Sequence, residues 1–488
     1  MSSGPIIDWS RFDWKPAPDD PILLRREVAA GEAIADIWQR FDHGEQTLFF
    51  GAVTTFHVPV PAHTVLSCAR RAWTAVRFAV PLVAAHTEYD ATGSAFITYR
   101  PESDAQAIEA WAARTVRLAE GAQDLDELRS ELSRVVLPEA GGDQTMIYVL
   151  RYSDTRYGFL LHTSHVPFDS AGVKLVMKGL LQNIARGLGG AAEESFRWGA
   201  EATNLLPAAH AIGGVCEDAA YHQTVRSILN DFGTIFQKQR GFRLREHASG
   251  QGPTRRLSFV FSEEESTVFF RTCKQVGLTV NQLLHAAVTL ITYLDNPPPE
   301  PASDELYVYF GLVDARRHLS QEHKFYPGYC LGMSPICVPS KVVGEALPRG
   351  EKEALYAAAA AVKAEYARQA AYGGFVLAHA AVIDATFMEM GAKQGNLPPP
   401  ATGPGYSGDG IGESYLDRIY NDAAGVPRIR IDDIFVSLNK TDPGPFFRTY
   451  TWNKRLNLSV DFNEHAMTRD VVQGFLDKWV ELTRLIFT

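Results

Sequence analysis

Cysteine is scarce in this chain. Five of them, an odd number, are scattered over 488 residues, which fits reduced thiols and excludes a disulfide framework as the source of the fold. Long apolar runs are also missing. No uninterrupted stretch reaches the roughly 20 residues that a membrane-spanning helix needs, and the opening Met1-Ser-Ser-Gly-Pro-Ile-Ile-Asp-Trp lacks the basic and then apolar pattern of a signal peptide. The expectation is a cytoplasmic protein without a membrane partner. Positive charge is in deficit, with 47 Lys and Arg against 57 Asp and Glu and a formal net charge of −10. That argues against nucleic acid as the main partner and leaves small molecules. No Gly-rich phosphate loop follows an expected strand. His318, His323, Cys330 and Cys337 cluster in sequence, but their spacing matches no zinc pattern, so no metal is expected.

What is present is the composition of a soluble globular protein: 46% hydrophobic, 11% aromatic and 21% charged residues. The length exceeds what one compact core accommodates and points to two domains of ordinary size. The informative stretch is Leu160-Leu-His-Thr-Ser-His-Val-Pro-Phe-Asp-Ser-Ala-Gly172. Residues Thr145 to Arg151 and Tyr157 to Ser164 are rich in β-branched and aromatic side chains and flank Ser153-Asp154-Thr155-Arg156, so they read as a hairpin. Alternation places Phe159 and Leu161 on one face of its second strand and Leu160 and His162 on the other. Pro167 forces the chain out of the strand. Asp169 or Ser170 can cap the next helix, whose apolar residues Val173, Val176, Met177, Leu180, Leu181, Ile184 and Leu188 recur at helical spacing until Gly187 or Gly189 ends the run. His165 and Asp169 thus stand at a tight turn between strand and helix. A second His-x-x-x-Asp, His86-Thr-Glu-Tyr-Asp90, lacks that context and reads as a loop into the next strand.

Along the chain, residues 1 to about 45 read as an arm with a mixed helical stretch from Arg25 to Phe41. Thr47 to Pro59 reads as a strand, Ala62 to Ala85 as a helix broken near Pro81, and Ala105 to Val136 as one or two helices. Residues 206–252 form the expected connector between an N-terminal domain, 1–205, and a C-terminal domain, 253–488. The second half opens with a strand from Arg255 to Phe261, and two capping boxes, Ser262-x-x-Glu265 and Thr279-x-x-Gln282, start helices. Leu306 to Val313 is a buried-type strand. Glu351 to Tyr372 is an Ala-rich helix, and residues 391–412, about half Gly or Pro, read as a mobile loop that could serve as a lid. Strands at Asp433 to Leu438 and Leu456 to Phe462 and a last helix from Thr468 to Phe487 close the chain.

The strand, His165-Val-Pro-Phe-Asp169 and the helix resemble the His-x-x-x-Asp signature of the chloramphenicol-acetyltransferase-like superfamily, which includes peptide-synthetase condensation domains and BAHD acyltransferases. Ala72-Trp-Thr-Ala-Val-Arg-Phe-Ala-Val-Pro81 is similar to that fold's first helix. Thr279-Val-Asn-Gln-Leu-Leu-His285 looks like the buried helix of its second half. Asp314-Ala-Arg-Arg-His-Leu with Gly328-Tyr-Cys-Leu-Gly332 looks like its arginine strand and following turn. Within the superfamily the chain looks nearest to the fungal O-acetyltransferases of the trichothecene type. Ser170 stands where glycine is usual, Ser164 where condensation domains carry a second histidine, and no Asp-Phe-Gly-Trp-Gly occurs.

The resemblance implies an α/β (α+β) fold of two similar domains, each a mixed sheet flanked by helices, with a tunnel at their interface. It implies an acyl-CoA-dependent O-acyltransferase, with acetyl-CoA as co-substrate, no tightly bound cofactor, and a small-molecule acceptor bearing a hydroxyl. A monomer is expected. His165 would be the general base, a role that suits an imidazole with an ordinary pKa of about 6.5. Asp169 would support the loop by pairing with an arginine, Arg316 first and Arg317 second. Ser437 and Asn439, at the end of a late strand, are candidates for stabilising the oxyanion. Two rivals share the fold: CoA-independent condensation, cyclisation or rearrangement, and a non-catalytic binding protein.

Overall fold

The computed structural model describes residues 8–29, 31–138, 142–190, 195–213, 219–235, 238–245, 252–301, 303–372 and 403–487. The hairpin is built from strands Thr145–Ser153 and Arg156–Thr163, with Thr145 opposite Thr163. It sits inside a six-stranded sheet whose order is Ile419–Asn421, Pro427–Leu438, Leu48–Phe56, Arg156–Thr163, Thr145–Ser153 and Val116–Ala119. The last pair is parallel and the others antiparallel. The strand leading to His165 is therefore internal. From Tyr157 to Thr163 every residue is buried, which explains why it reads as a nearly continuous apolar run rather than a clean alternation.

Helices brace this sheet. Leu125–Leu132, capped by Asp124, lays Leu125 and Leu128 against Phe49, Met146, Leu160 and Phe435. Ala62–Ala79 packs along Ser170–Leu188, and the latter also rests on the strands Leu48–Phe56 and Pro427–Leu438. The expected break near Pro81 is present, since Pro81–Ala84 is a short 3-10 turn.

Two unequal things happen before the sheet. The stretch expected to be helical from Arg25 begins as strand Asp20–Glu27 and becomes helix only over Gly31–Phe41. His86–Tyr89, expected as a loop, is a strand. Both join Lys15–Ala17 and Ala95–Tyr99 in a four-stranded sheet. The reason is strand pairing: Leu24 to Glu27, from far along the chain, and His86 to Tyr89, its hairpin neighbour, flank the same strand, Ala95–Tyr99, and a partner strand overrides local propensity.

The chain forms two compact units that are not contiguous in sequence. The first comprises Met1–Val215, Asp314–Leu331 and Glu413–Asn439, and the second Cys216–Val313, Gly332–Gly412 and Lys440–Thr488. A single cut between halves does not describe this, because strand Pro427–Leu438 pairs with Leu48–Phe56. The second unit holds a sheet ordered Gly405–Ile411, Phe446–Trp452, Arg455–Asn463 and Thr254–Val260. Helices Glu263–Gln275 and Val280–Asp295 each begin with a complete capping box. The second is buried from Leu283 to Tyr293, as a core helix that is apolar all round must be. Glu351–Ala370 and Arg469–Leu485 also pack around this core. No single helix among the described residues is long and apolar enough to cross a membrane.

Of the Gly/Pro-rich stretch 391–412, residues 391–402 lie outside the described residues, and Gly405–Ile411 is a strand parallel to Phe446–Trp452. Its glycines mark close approach. A Cβ at Gly408 would lie 2.0 Å from Asn281 Oδ1, and one at Gly405 2.2 Å from the Phe446 ring.

His162, three residues before His165, has a distinct fate. It is fully buried, stacks on Phe49 at 4.4 Å and 7°, and neither ring nitrogen has a hydrogen-bond partner among the described residues. Burial lowers its pKa to about 3, so the unfolded chain binds a proton that the folded chain refuses. Stability is then lost as pH falls below about 6.5 towards the folded value. Replacing His162 with Leu removes that loss. Relative to the parent, H162L should gain about 2 kcal/mol on going from pH 8 to pH 5, read from thermal or denaturant unfolding at the two pH values.

Candidate active site

His165 sits just past the last paired residue of an internal strand. Ser164 continues the pairing through its N–H to the Gln144 carbonyl at 2.9 Å, and its hydroxyl bonds Gln39 and accepts from the Val166 N–H at 3.2 Å. The serine thereby pins the backbone on which the next side chain turns. His165 Nδ1 lies 2.8 Å from the Phe168 carbonyl oxygen. A carbonyl only accepts, so the neutral ring carries its proton on Nδ1, and Nε2 is the basic nitrogen. The Tyr329 ring lies 5.4 Å from the imidazole, tilted by 47°.

Asp169 caps the helix Ser170–Leu188, with Oδ1 accepting from the Gly172 N–H at 2.8 Å. The same carboxylate receives Arg316 twice, Nη2 on Oδ1 and Nη1 on Oδ2, both at 2.9 Å, and the Cys330 N–H at 2.8 Å. Its residue is 0% exposed and Arg316 is 3% exposed. Arg316 Nε donates to the Tyr326 carbonyl at 2.7 Å, Nη2 also to the Gly328 carbonyl at 2.7 Å, and Nη1 also to Asp314 at 3.1 Å. All five guanidinium N–H groups therefore have acceptors. Burial alone would push Asp169 up, but Arg316 and the two backbone N–H groups outweigh it and hold the carboxyl below its usual range. Burial likewise disfavours the charged guanidinium, and Asp169 with Asp314 reverses the sign, holding Arg316 above its ordinary value.

Arg316 lies on a 3-10 turn, Ala315–His318, after the strand Leu306–Asp314. Arg317, the second arginine considered from the sequence, is exposed, and its Nε donates to the His318 ring at 3.0 Å. Asn439 and Ser437 are both buried. The Asn439 amide donates to the Gly44 carbonyl at 3.0 Å, closing a turn before strand Leu48–Phe56. Ser437 stands opposite Phe49 and shares its side of the sheet.

Several contributors carry no signature of their own in the sequence. Tyr415 donates its hydroxyl to Asp314, and the Lys174 ammonium lies 5.8 Å from the Tyr415 ring centroid. Tyr329 is tied to the motif by its N–H to the Pro167 carbonyl at 3.0 Å. Gly172 does have a readable trace, as the glycine that opens the helix. A Cβ there would lie 2.1 Å from the Pro327 carbonyl oxygen, so the turn Tyr326 to Cys330 can close on the motif only over a bare backbone.

A histidine whose Nε2 is basic, on a turn braced by a neutralised ion pair, can take and return a proton. Comparison with known proteins narrows this. The family model described as "15-O-acetyltransferase Tri3" matches residues 5–375. The trichothecene 15-O-acetyltransferase TRI3 of Fusarium sporotrichioides is 23% identical, covering 96% of each chain. Its solved structure matches with a TM-score of 0.86, 19% identity and full coverage of both chains. A protein of Epichloe uncinata named loline biosynthesis cluster 1 transcription factor lolU1 is 24% identical over 85% of this chain and 83% of its own. The first condensation domain of the calcium-dependent antibiotic synthetase matches with a TM-score of 0.63 at 13% identity, over 95% of this chain and 97% of the other. The fold is thus that of condensation domains, two lobes of mixed sheet flanked by helices.

Breaking the buried pair leaves one uncompensated charge, so Asp169→Ala or Arg316→Leu should cost about 3 to 5 kcal/mol in denaturant unfolding. R316K keeps the charge but not the fork, and should lose most of the same stability. Asp169 has a lowered pKa in the folded chain, so its contribution is present above the unfolded carboxyl pKa and lost as pH falls through the folded one. D169N should accordingly flatten the acid limb of stability below about pH 4.

Proposed function

The chain belongs to the Tri3 family of 15-O-acetyltransferases, and from that premise we propose that His165 is the general base of an acetyl transfer from acetyl-CoA to a hydroxyl of a secondary metabolite. This is an acyltransferase of the His-x-x-x-Asp type with acetyl-CoA as co-substrate and a small-molecule acceptor. The names of its relatives make a trichothecene with a free 15-hydroxyl the first acceptor to test. The single observation that carries the residue assignment is the His165 turn. Its Nδ1 is satisfied by the Phe168 carbonyl, four residues before a carboxylate wholly engaged by Arg316 and backbone N–H groups.

In the proposed step, Nε2 of His165 takes the acceptor's hydroxyl proton as that oxygen attacks the thioester carbonyl. The tetrahedral intermediate collapses, the carbon–sulfur bond breaks, and the imidazolium returns the proton to the leaving thiolate of CoA. Asp169 and Arg316 hold the turn and do not touch the reacting atoms. For the oxyanion, Ser437 and Asn439, both buried at the end of strand Pro427–Leu438, are the two candidates. We place the protein in the cytoplasm as a monomer.

The test incubates purified protein with acetyl-CoA and a trichothecene bearing a free 15-hydroxyl, followed by mass spectrometry and assay of the released thiol. The product should be heavier by one acetyl group. H165A should slow release about a hundredfold to ten-thousandfold with an unchanged melting temperature. Full activity in H165A would remove the general-base assignment, and a product isomeric with the acceptor would favour the CoA-independent reading.

A further inference from the structure

A general base becomes a cation during the reaction, and something must compensate that charge. In a serine-protease-like arrangement a carboxylate does so. Here the nearby candidate, Asp169, has both oxygens committed to Arg316 and to the N–H groups of Gly172 and Cys330. An aromatic group also lies against the imidazole: the Tyr329 ring, with centroids 5.4 Å apart.

We propose that Tyr329 positions His165 and stabilises the imidazolium formed during transfer, through its aromatic ring and not through its hydroxyl. The inference rests on the reading of His165 as general base. Three features support it. A cation over the face of an aromatic ring and within about 6 Å of its centroid is attracted by the ring's quadrupole, and the imidazole centroid lies inside that distance. The backbone that carries the ring is held to the motif, because the Tyr329 N–H donates to the Pro167 carbonyl at 3.0 Å and the next N–H, of Cys330, donates to Asp169 at 2.8 Å. Finally, the start of helix Gly31–Phe41 is shaped around it: a Cβ at Gly31 would lie 2.2 Å from a ring carbon and 2.5 Å from the hydroxyl oxygen. Among the described residues no hydrogen bond to that hydroxyl is present, and the comparison of Y329F with Y329L separates the ring from the hydroxyl.

The charged neighbours of the two rings are themselves paired. Asp169 is paired with Arg316, and Arg316 also with Asp314. Glu32, from the helix behind Tyr329, is held by Arg26 at 2.7 and 2.8 Å in a buried pair. Burial pushes the Cys330 thiol and the Tyr329 phenol upward.

The experiment compares Y329L, Y329F, G31A and H165A with the parent. The His165 titration is followed by NMR in protein labelled at the histidine Cε1, with the resonance assigned by its absence in H165A, and acetyl transfer from acetyl-CoA is followed against pH. In Y329L the His165 titration should move about half a unit to one unit lower. The plateau kcat should fall about threefold to tenfold with KM for acetyl-CoA unchanged. Y329F should restore the parent values. G31A displaces the same ring without deleting it, should mimic Y329L, and serves if Y329L does not fold. An unchanged titration in folded Y329L or G31A overturns the inference, as does a Y329F that behaves like Y329L. If H165A stays active, the general-base reading has failed, a result distinct from either of these.

Discussion

The Asp169–Arg316 pair is the interaction on which the site depends. Two charges removed from water carry a desolvation cost of several kcal/mol each, and attraction across 2.9 Å offsets it only if the remaining hydrogen-bonding capacity is used. Here it is. The carboxylate takes two guanidinium N–H and two backbone N–H groups, and the guanidinium reaches two backbone carbonyls and a second carboxylate besides. One ion pair thereby fastens three pieces of backbone: the start of helix Ser170–Leu188, the 3-10 turn Ala315–His318, and the turn Tyr326 to Cys330. His165 is presented by the loop that this fastening closes.

Complete satisfaction has a chemical consequence. A carboxylate with no acceptor capacity left is a brace, so the histidine beside it takes its tautomer from the Phe168 carbonyl and its aromatic neighbour from the turn that Arg316 closes. Environment also separates this histidine from two buried ones. His162 is stacked on Phe49, and His285 lies against Tyr309 and Tyr406 with Nδ1 3.0 Å from the Tyr366 hydroxyl. Burial lowers both to about pKa 3, so neither gains a proton at physiological pH, and each behaves as a flat core side chain.

Much of the local structure is legible in the sequence where one segment determines its own conformation. The hairpin, the two capping boxes, and a helix capped at Asp169 or Ser170 and stopped at Gly187 or Gly189 are of this kind, the structure choosing Asp169 and Gly189. The misreadings share a cause in strand pairing. Asp20–Glu27 and Gly405–Ile411 are strands because distant strands pair with them, and so is Val116–Ala119, expected within the helical stretch Ala105 to Val136; His86–Tyr89 is held instead by the neighbouring strand Ala95–Tyr99.

By itself the sequence determined the chemistry on offer: a histidine and an aspartate four residues apart at a strand-to-helix turn, with an arginine after a later strand. It settled that because side-chain periodicity, proline and capping act over a few residues. Only the tertiary structure decided that Arg316 and not Arg317 meets Asp169, that Gly172 and Gly31 must be bare for Pro327 and Tyr329 to approach, and that His162 is inert. Those outcomes depend on burial and on contacts between residues far apart in the chain, and neither is written into any single segment.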